Sequence, residues 1–373
     1  MKTNLEPAFA PGKPLSAAVA LALCACVAHA QDSSVQLFGT VAASAVHLSN
    51  QASSSGTSMV AGPWTAPSFG LRGKEGLGGG LDASFQFEST LDITQGLGGK
   101  TVAGAPKFWD KAAWVALGNK DITVTAGRQL HAGIDRIVLT LDPFYANADG
   151  KMILSTLALN ATNTFGGYDT RVDNAFKLRA RLPADIQAGI SYGFASEGKF
   201  GRSVSADLGW QTQQAGLGAY AFNYKDATGQ LQQQVWGVGG NYLAGPVRLY
   251  VHYMNARHDK STGVRQSDGV WALGAAYPVS RAVTVRAAYY RDSGKDVGGA
   301  AGSSGRRSTF ALMGDYVFSK RTSLNIGVFR NGLSGAFSTD PTSLAVLGLV
   351  NPATKTISGS SMTGLAVGLT HRF

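Results

Sequence analysis

Between Arg171 and Arg181 the chain sets Arg171, Asp173, Lys177, Arg179 and Arg181 at positions of one parity, and Val172, Phe176, Leu178 and Ala180 at the other. Successive side chains of a β-strand point to opposite faces, so four cations and one carboxylate share one side. Such a ladder makes and breaks no bonds. It can attract anions and orient dipolar solutes, most strongly where low-dielectric walls limit screening by water. Arg72, Arg248 and Arg286 have the same standing, each on the polar parity of an alternating segment. The acids expected to oppose this basic wall are Glu88, on an earlier segment, and Asp135, Asp142 and Asp149, in the polar stretch before the ladder.

Residues suited to covalent chemistry make a poorer case. Gly189-Ile190-Ser191-Tyr192-Gly193 has the form of a nucleophile elbow, yet that motif needs a strand-to-helix turn and alternation here runs straight through it. His47, His131, His252, His258 and His371 show no paired ligand spacing. Gly76-Leu77-Gly78-Gly79-Gly80 reads as a turn, because no helix follows to make a phosphate loop. The only cysteines are Cys24 and Cys26, inside a segment expected to be removed, which excludes disulfides and thiol chemistry downstream. No catalytic residue, cofactor or metal is expected.

The elements that must carry the ladder are strands. Val247, Leu249, Val251 and Tyr253 alternate with Arg248, Tyr250 and His252, and Leu81, Ala83, Phe85 and Phe87 alternate with Asp82, Ser84, Gln86 and Glu88. Sixteen such segments run from 35–47 to 361–373, among them 67–73, 107–118 and 170–182. Short turns such as Pro183-Ala184 and Ser319-Lys320 alternate with longer polar connections such as 48–66, 131–169 and 333–360. About ten residues of tilted strand cross a bilayer, and one-sided loop lengths belong to transmembrane barrels. A soluble sandwich would bury the apolar face against a second sheet and would not need loops that differ by end. The expectation is an all-β fold, an antiparallel transmembrane β-barrel of sixteen strands. Its polar face then lines a water-filled lumen.

The ends of the chain agree. Lys2 and Lys13 precede an apolar run from Leu15 to Val27 and an Ala28-His29-Ala30 cleavage pattern, so residues 1–30 read as a Sec signal peptide and 31–373 as the barrel. Thr363–Phe373 alternates to its last residue, and a terminal Phe373 resembles the signal read by the outer-membrane barrel-assembly machinery. With 33 Lys and Arg against 23 Asp and Glu the chain is basic, but it has no Lys/Arg tract or groove-entering helix, which argues against nucleic acid. A positive pore interior accounts for the balance better.

Phe69-Gly70-Leu71-Arg72-Gly73-Lys74-Glu75-Gly76-Leu77-Gly78-Gly79-Gly80-Leu81 resembles the S-R-F-G-L-(K/R)-G-x-E-D-L-G-G-G-L segment of the general, non-specific porins of beta-proteobacteria. Val35–Gly39, Ala126–Gln129 with Asp142-Pro143-Phe144, Arg171–Asn174 and Gly368–Phe373 resemble further landmarks of that family, in family order. The resemblance implies a homotrimer in outer-membrane lipid and lipopolysaccharide, with loop three folded inward as the constriction. It implies passive diffusion of ions and small hydrophilic or anionic solutes. Lys111 and Arg128 match basic positions of the family, although alternation with Val115, Leu117, Ile122 and Val124 would aim both outward unless a bulge re-aims them. Ser68 stands where the family carries Arg, which removes one lining cation and softens the expected anion preference. The rival readings are a substrate-specific channel on the same barrel and an outer-membrane barrel enzyme.

Overall fold

The computed structural model describes residues 33–50, 56–62, 66–102, 105–144, 170–195, 200–259, 262–351 and 353–373. The signal segment, Asp149 and Lys151–Leu154 lie outside them.

Sixteen strands build the wall. They are β1 (Ser33–Leu48), β2 (Ser68–Gly78), β3 (Leu81–Asp92), β4 (Ala112–Gly118), β5 (Ile122–Leu130), β6 (Arg171–Leu182), β7 (Ile186–Gly193) and β8 (Phe200–Gln211). The second half comprises β9 (Ala215–Asp226), β10 (Leu231–Ala244), β11 (Val247–His258), β12 (Gln266–Pro278), β13 (Val283–Lys295), β14 (Ser304–Val317), β15 (Thr322–Gly335) and β16 (Ser361–Arg372). Every neighbouring pair is antiparallel and the sheet closes on itself. Closure is staggered: Thr40 of β1 faces Ser68 of β2 and also Arg372 of β16. Phe373 completes the seam, its backbone exchanging two 3.1 Å hydrogen bonds with Gly39.

Alternation makes two faces that a soluble protein could not keep. Val115 (59% exposed), Phe176 (52%), Val238 (50%) and Leu365 (51%) point outward, while Thr125, Asp207, His252 and Thr370 on the opposite parity are buried. A continuous exposed apolar belt is stable only against lipid. No described helix is long and apolar enough to cross a membrane.

Three local details differ from the sequence reading. Of the Gly76–Gly80 stretch expected as a turn, Gly76–Gly78 continues β2, and the reversal falls on Gly79 and Gly80, whose positive φ angles (60° and 79°) suit glycine. The 107–118 segment splits: residues 112–118 join the wall, whereas Ala105–Lys107 pairs with Lys100–Val102 as a small hairpin. Within β6 the register slips between Val172 and Ala175, with Asn174 at φ 48°, so the ladder is interrupted by a bulge.

Two connections pack against the wall's buried face. After β5 comes α1 (Ala132–Arg136), continued by a π-helical turn over Ile137–Leu141. No side chain of its own caps α1. Instead hydroxyls of the wall accept its first free amides, Ser191 Oγ from Ala132 N (3.2 Å) and Ser205 Oγ from Gly133 N (2.8 Å). The connection after β15 carries α2 (Pro341–Val346), capped by Asp340, whose carboxylate accepts from Ser343 N at 2.8 Å. Here Phe337, Leu344, Leu347 and Leu349 bury against Val46, Phe329, Leu333 and Met362.

Candidate functional site

The segment from His131 to Phe144 runs along the wall and is fixed by charge. Asp135 accepts from Lys177 Nζ at 2.7 Å and lies 2.9 Å from an Arg179 nitrogen. Arg179 also pairs with Asp207 of β8 at 2.9 Å. On the same Asp207 carboxylate rests Arg136, at 2.9 Å and wholly buried. Five side chains thus form one chain of pairs, Lys177–Asp135–Arg179–Asp207–Arg136. Three cations share two carboxylates, so the cluster keeps a positive charge.

Arg136 fits because the wall is bare beneath it. A Cβ on Gly209 would sit 2.2 Å from its guanidinium carbon, and one on Gly218 would sit 2.6 Å from its Cδ. Adjacent glycines on β8 and β9 therefore hold a flat slot for the guanidinium. Further along, Asn241 Nδ2 donates to Thr140 O (2.9 Å), Tyr290 Oη donates to Asp142 (2.6 Å), and Pro143 rests over Gly274. His131 opens the segment, hydrogen-bonded to Ser205 Oγ at 2.9 Å and packed on Phe222. Burial, and then the charge of Lys177, lower its imidazole from 6.5 to about 3, so it is neutral at physiological pH.

Of the acids expected to oppose the basic wall, Asp135 and Asp142 lie on the segment that packs against it. Asp135 neutralises ladder cations directly, and Asp142 is held by Tyr290 and by the amide of Phe144 (3.0 Å). The physical reason is that α1 lies against β7–β9, so its carboxylate meets the ladder at ion-pair distance. Arg181 carries no ion pair among the described residues and is exposed at the foot of β6. Arg171, above the bulge, donates to Lys111 O at 3.1 Å.

Lys111 and Arg128 are both buried, at 8% and 7% exposure, against the outward aim of simple alternation. Lys111 reaches Glu88 at 3.5 Å, and Glu88 also accepts from Gln86. Arg128 donates to Asp110 O at 2.7 Å and pairs with Asp173 at 2.8 Å, where the bulge presents that carboxylate. Lys107, from the small hairpin, binds the other Asp173 oxygen at 2.7 Å. Elsewhere Arg72 lies over the Phe38 ring and donates to Gln36, Arg248 donates to Asn241, and Arg286 pairs with Asp315.

Arg136, Asp207 and Lys107 escaped the sequence reading. Asp207 was within reach, because Ser203, Ser205 and Asp207 alternate with Val204, Ala206 and Leu208. Arg136 was not, since a connection without period gives no direction. Ser191 lies inside β7 and donates no nucleophile geometry; its hydroxyl caps α1. Among the described residues no His, Asp or Glu cluster could hold a metal.

Comparison with known proteins adds the family. The sequence profile of Gram-negative porins matches residues 17–336. No curated protein sequence matches the chain. Among solved structures, the anion-selective porin from Comamonas acidovorans superposes with a TM-score of 0.75 at 21% identity, covering 92% of this chain and 100% of that one. Outer-membrane expressed OmpT of Vibrio cholerae gives 0.65 at 12% identity over 91% and 98%, and Salmonella typhi OmpF in complex with daunomycin 0.60 at 16% over 91% and 97%. Likenesses at such identities speak for the fold, while the profile covers most of the sequence. A closed sixteen-stranded barrel with an apolar belt, matched over most of its length to that profile, belongs to the Gram-negative porins and resides in the outer membrane.

Proposed function

We propose that the chain is a general porin of the beta-proteobacterial type, a water-filled channel for passive diffusion of ions and small hydrophilic solutes that moderately prefers anions. The observation that carries the preference is the excess of cations in the Lys177–Asp135–Arg179–Asp207–Arg136 cluster, reinforced by Arg181 and Arg72. In this reading the 131–144 segment is an inward-folded loop three that narrows the lumen, and the residues named above line it. The motifs around Arg72 and Phe373 support the subtype and a homotrimer set in lipid and lipopolysaccharide, delivered by the barrel-assembly machinery after residues 1–30 are removed.

The test is the reversal potential of reconstituted channels under a KCl gradient. Chloride should pass more readily than potassium, with the preference fading toward 1 M salt, where the Debye length is about 3 Å. Arg181→Gln should reduce it without disturbing the paired cluster. A wild-type channel that passes potassium more readily would overturn the preference. Liposome swelling across sugars, amino acids and organic acids separates a general pore from a substrate-specific one.

A further inference from the structure

At the short-turn end of β13–β16 the inner wall encloses a hollow of about 410 Å3. Pro143 and Phe144, at the end of the charge-held segment, form its roof together with Met313. Four charged groups line it: Arg286, Asp315, Lys320 and Arg372. Asp315 is already satisfied. Arg286 pairs with one of its oxygens and Asn325 Nδ2 donates to the other, while Thr370 Oγ1 fills Asn325 Oδ1 at 2.8 Å. Lys320 and Arg372 have no ion pair among the described residues. The hollow thus joins two uncompensated cations to an aromatic and aliphatic roof.

A hydrated chloride ion gains from the cations and nothing from the roof. An alcohol gains from the roof alone. Only a solute with both a carboxylate and an apolar body uses the two sides together, and partial exclusion of water strengthens the charge term. We propose that this hollow is a subsite for small amphiphilic carboxylates, with Lys320 and Arg372 holding the carboxylate and Pro143, Phe144 and Met313 covering the body. The subsite rests on the reading of the barrel as a conducting channel. It goes beyond that reading in naming a solute class that lingers where others pass.

Block of the KCl current in planar bilayers, with benzoate as probe, tests the proposal. Benzoate should reduce the wild-type current in a saturable way, whereas acetate and benzyl alcohol at equal concentration should not. Lys320→Gln and Arg372→Gln should each raise the half-blocking concentration by about fivefold. Arg281→Gln removes a cation from the neighbouring short turn outside the hollow and should leave block unchanged. Arg372 lies on the seam strand, so Lys320→Gln, in a turn, decides the matter if Arg372→Gln does not assemble. Conducting channels without benzoate block, a half-blocking concentration left unchanged by Lys320→Gln, or an equal rise with Arg281→Gln would each overturn the subsite. Silent bilayers would instead overturn the channel reading itself.

Discussion

Two connections pack against the wall of this barrel, and they are held by opposite kinds of force. The segment after β5 is tied by ion pairs to Lys177, Arg179 and Asp207, with Arg136 in a glycine slot. The connection after β15 is tied by Phe337, Leu344, Leu347 and Leu349, all buried among apolar wall residues. Among its described charge contacts are the Asp340 cap on Ser343 and Arg307 against the Phe337 ring, 4.2 Å from the centroid. Charge pairing is directional and fixes where carboxylates and guanidinia sit. Apolar packing is indifferent to direction and fixes only volume. The first kind of anchor suits a surface that must present a defined field to passing ions; the second suits a plug whose shape matters more than its potential.

The largest effect should come from Asp207→Asn. It leaves Arg136 and Arg179 sharing a neutral amide, and removing one partner of a buried pair typically costs roughly 3–5 kcal/mol. The 131–144 segment should detach, giving larger single-channel conductance and a reversal potential shifted further toward chloride. Unchanged conductance would mean that charge does not hold this segment.

Phe337→Ala should have a comparable or slightly smaller cost, about 3 kcal/mol for a buried phenyl. The expected readout differs in kind: faster proteolysis of the 336–360 connection and noisier current, with the sign of the reversal potential kept, because no charge changes. A reversal of ion preference in this variant would collapse the distinction between the two anchors.

Smaller still is Gly209→Ala, whose methyl would meet the Arg136 guanidinium at 2.2 Å. Overpacking of this kind costs about 1–3 kcal/mol. Conductance should rise part of the way toward the Asp207→Asn value, and Gly314→Ala, where a Cβ meets nothing closer than 3.8 Å, should leave it unchanged.

The last test uses pH. Attached, His131 stays neutral until about pH 3; released into water, it would take a proton near 6.5. Above 6.5 both states are neutral and pH has no leverage. As pH falls from 6.5 toward 3 the released state gains protons that the attached one refuses, so attachment weakens progressively. Channel noise should therefore increase on acidification over that window, and His131→Gln should flatten the trend. The connection after β15 should show no such dependence on His131.

The wall was legible in the sequence almost residue by residue, because alternation such as Phe176/Leu178 against Lys177/Arg179 has only one way to face lipid. The anchors were legible only in halves. Lys177, Arg179 and Asp135 were each read as charged and inward, yet their direct pairing depends on how the 131–144 segment lies, which no periodicity encodes. Lys111 and Arg128 were ambiguous for a related reason: Lys111 precedes β4, and Gly127 beside Arg128 has a φ of 123°, so simple strand parity extends to neither. The apolar connection after β15 passed for an ordinary long polar loop because Phe337, Leu344, Leu347 and Leu349 are scattered among Ser, Thr and Gly.

The staggered seam has a consequence for assembly. Residues 33–40 of β1 can pair with β2, and residues 44–47 with the nearby Thr57–Val60, as soon as these exist, but the edge of residues 40–48 that pairs with β16 waits for the far end of the chain. Half of the first strand therefore keeps an open edge until the last strand arrives, and an open edge is the feature most prone to pair with a stranger. Closing the ring late makes its rate hostage to the slowest contact in the molecule, the meeting of its two most distant segments.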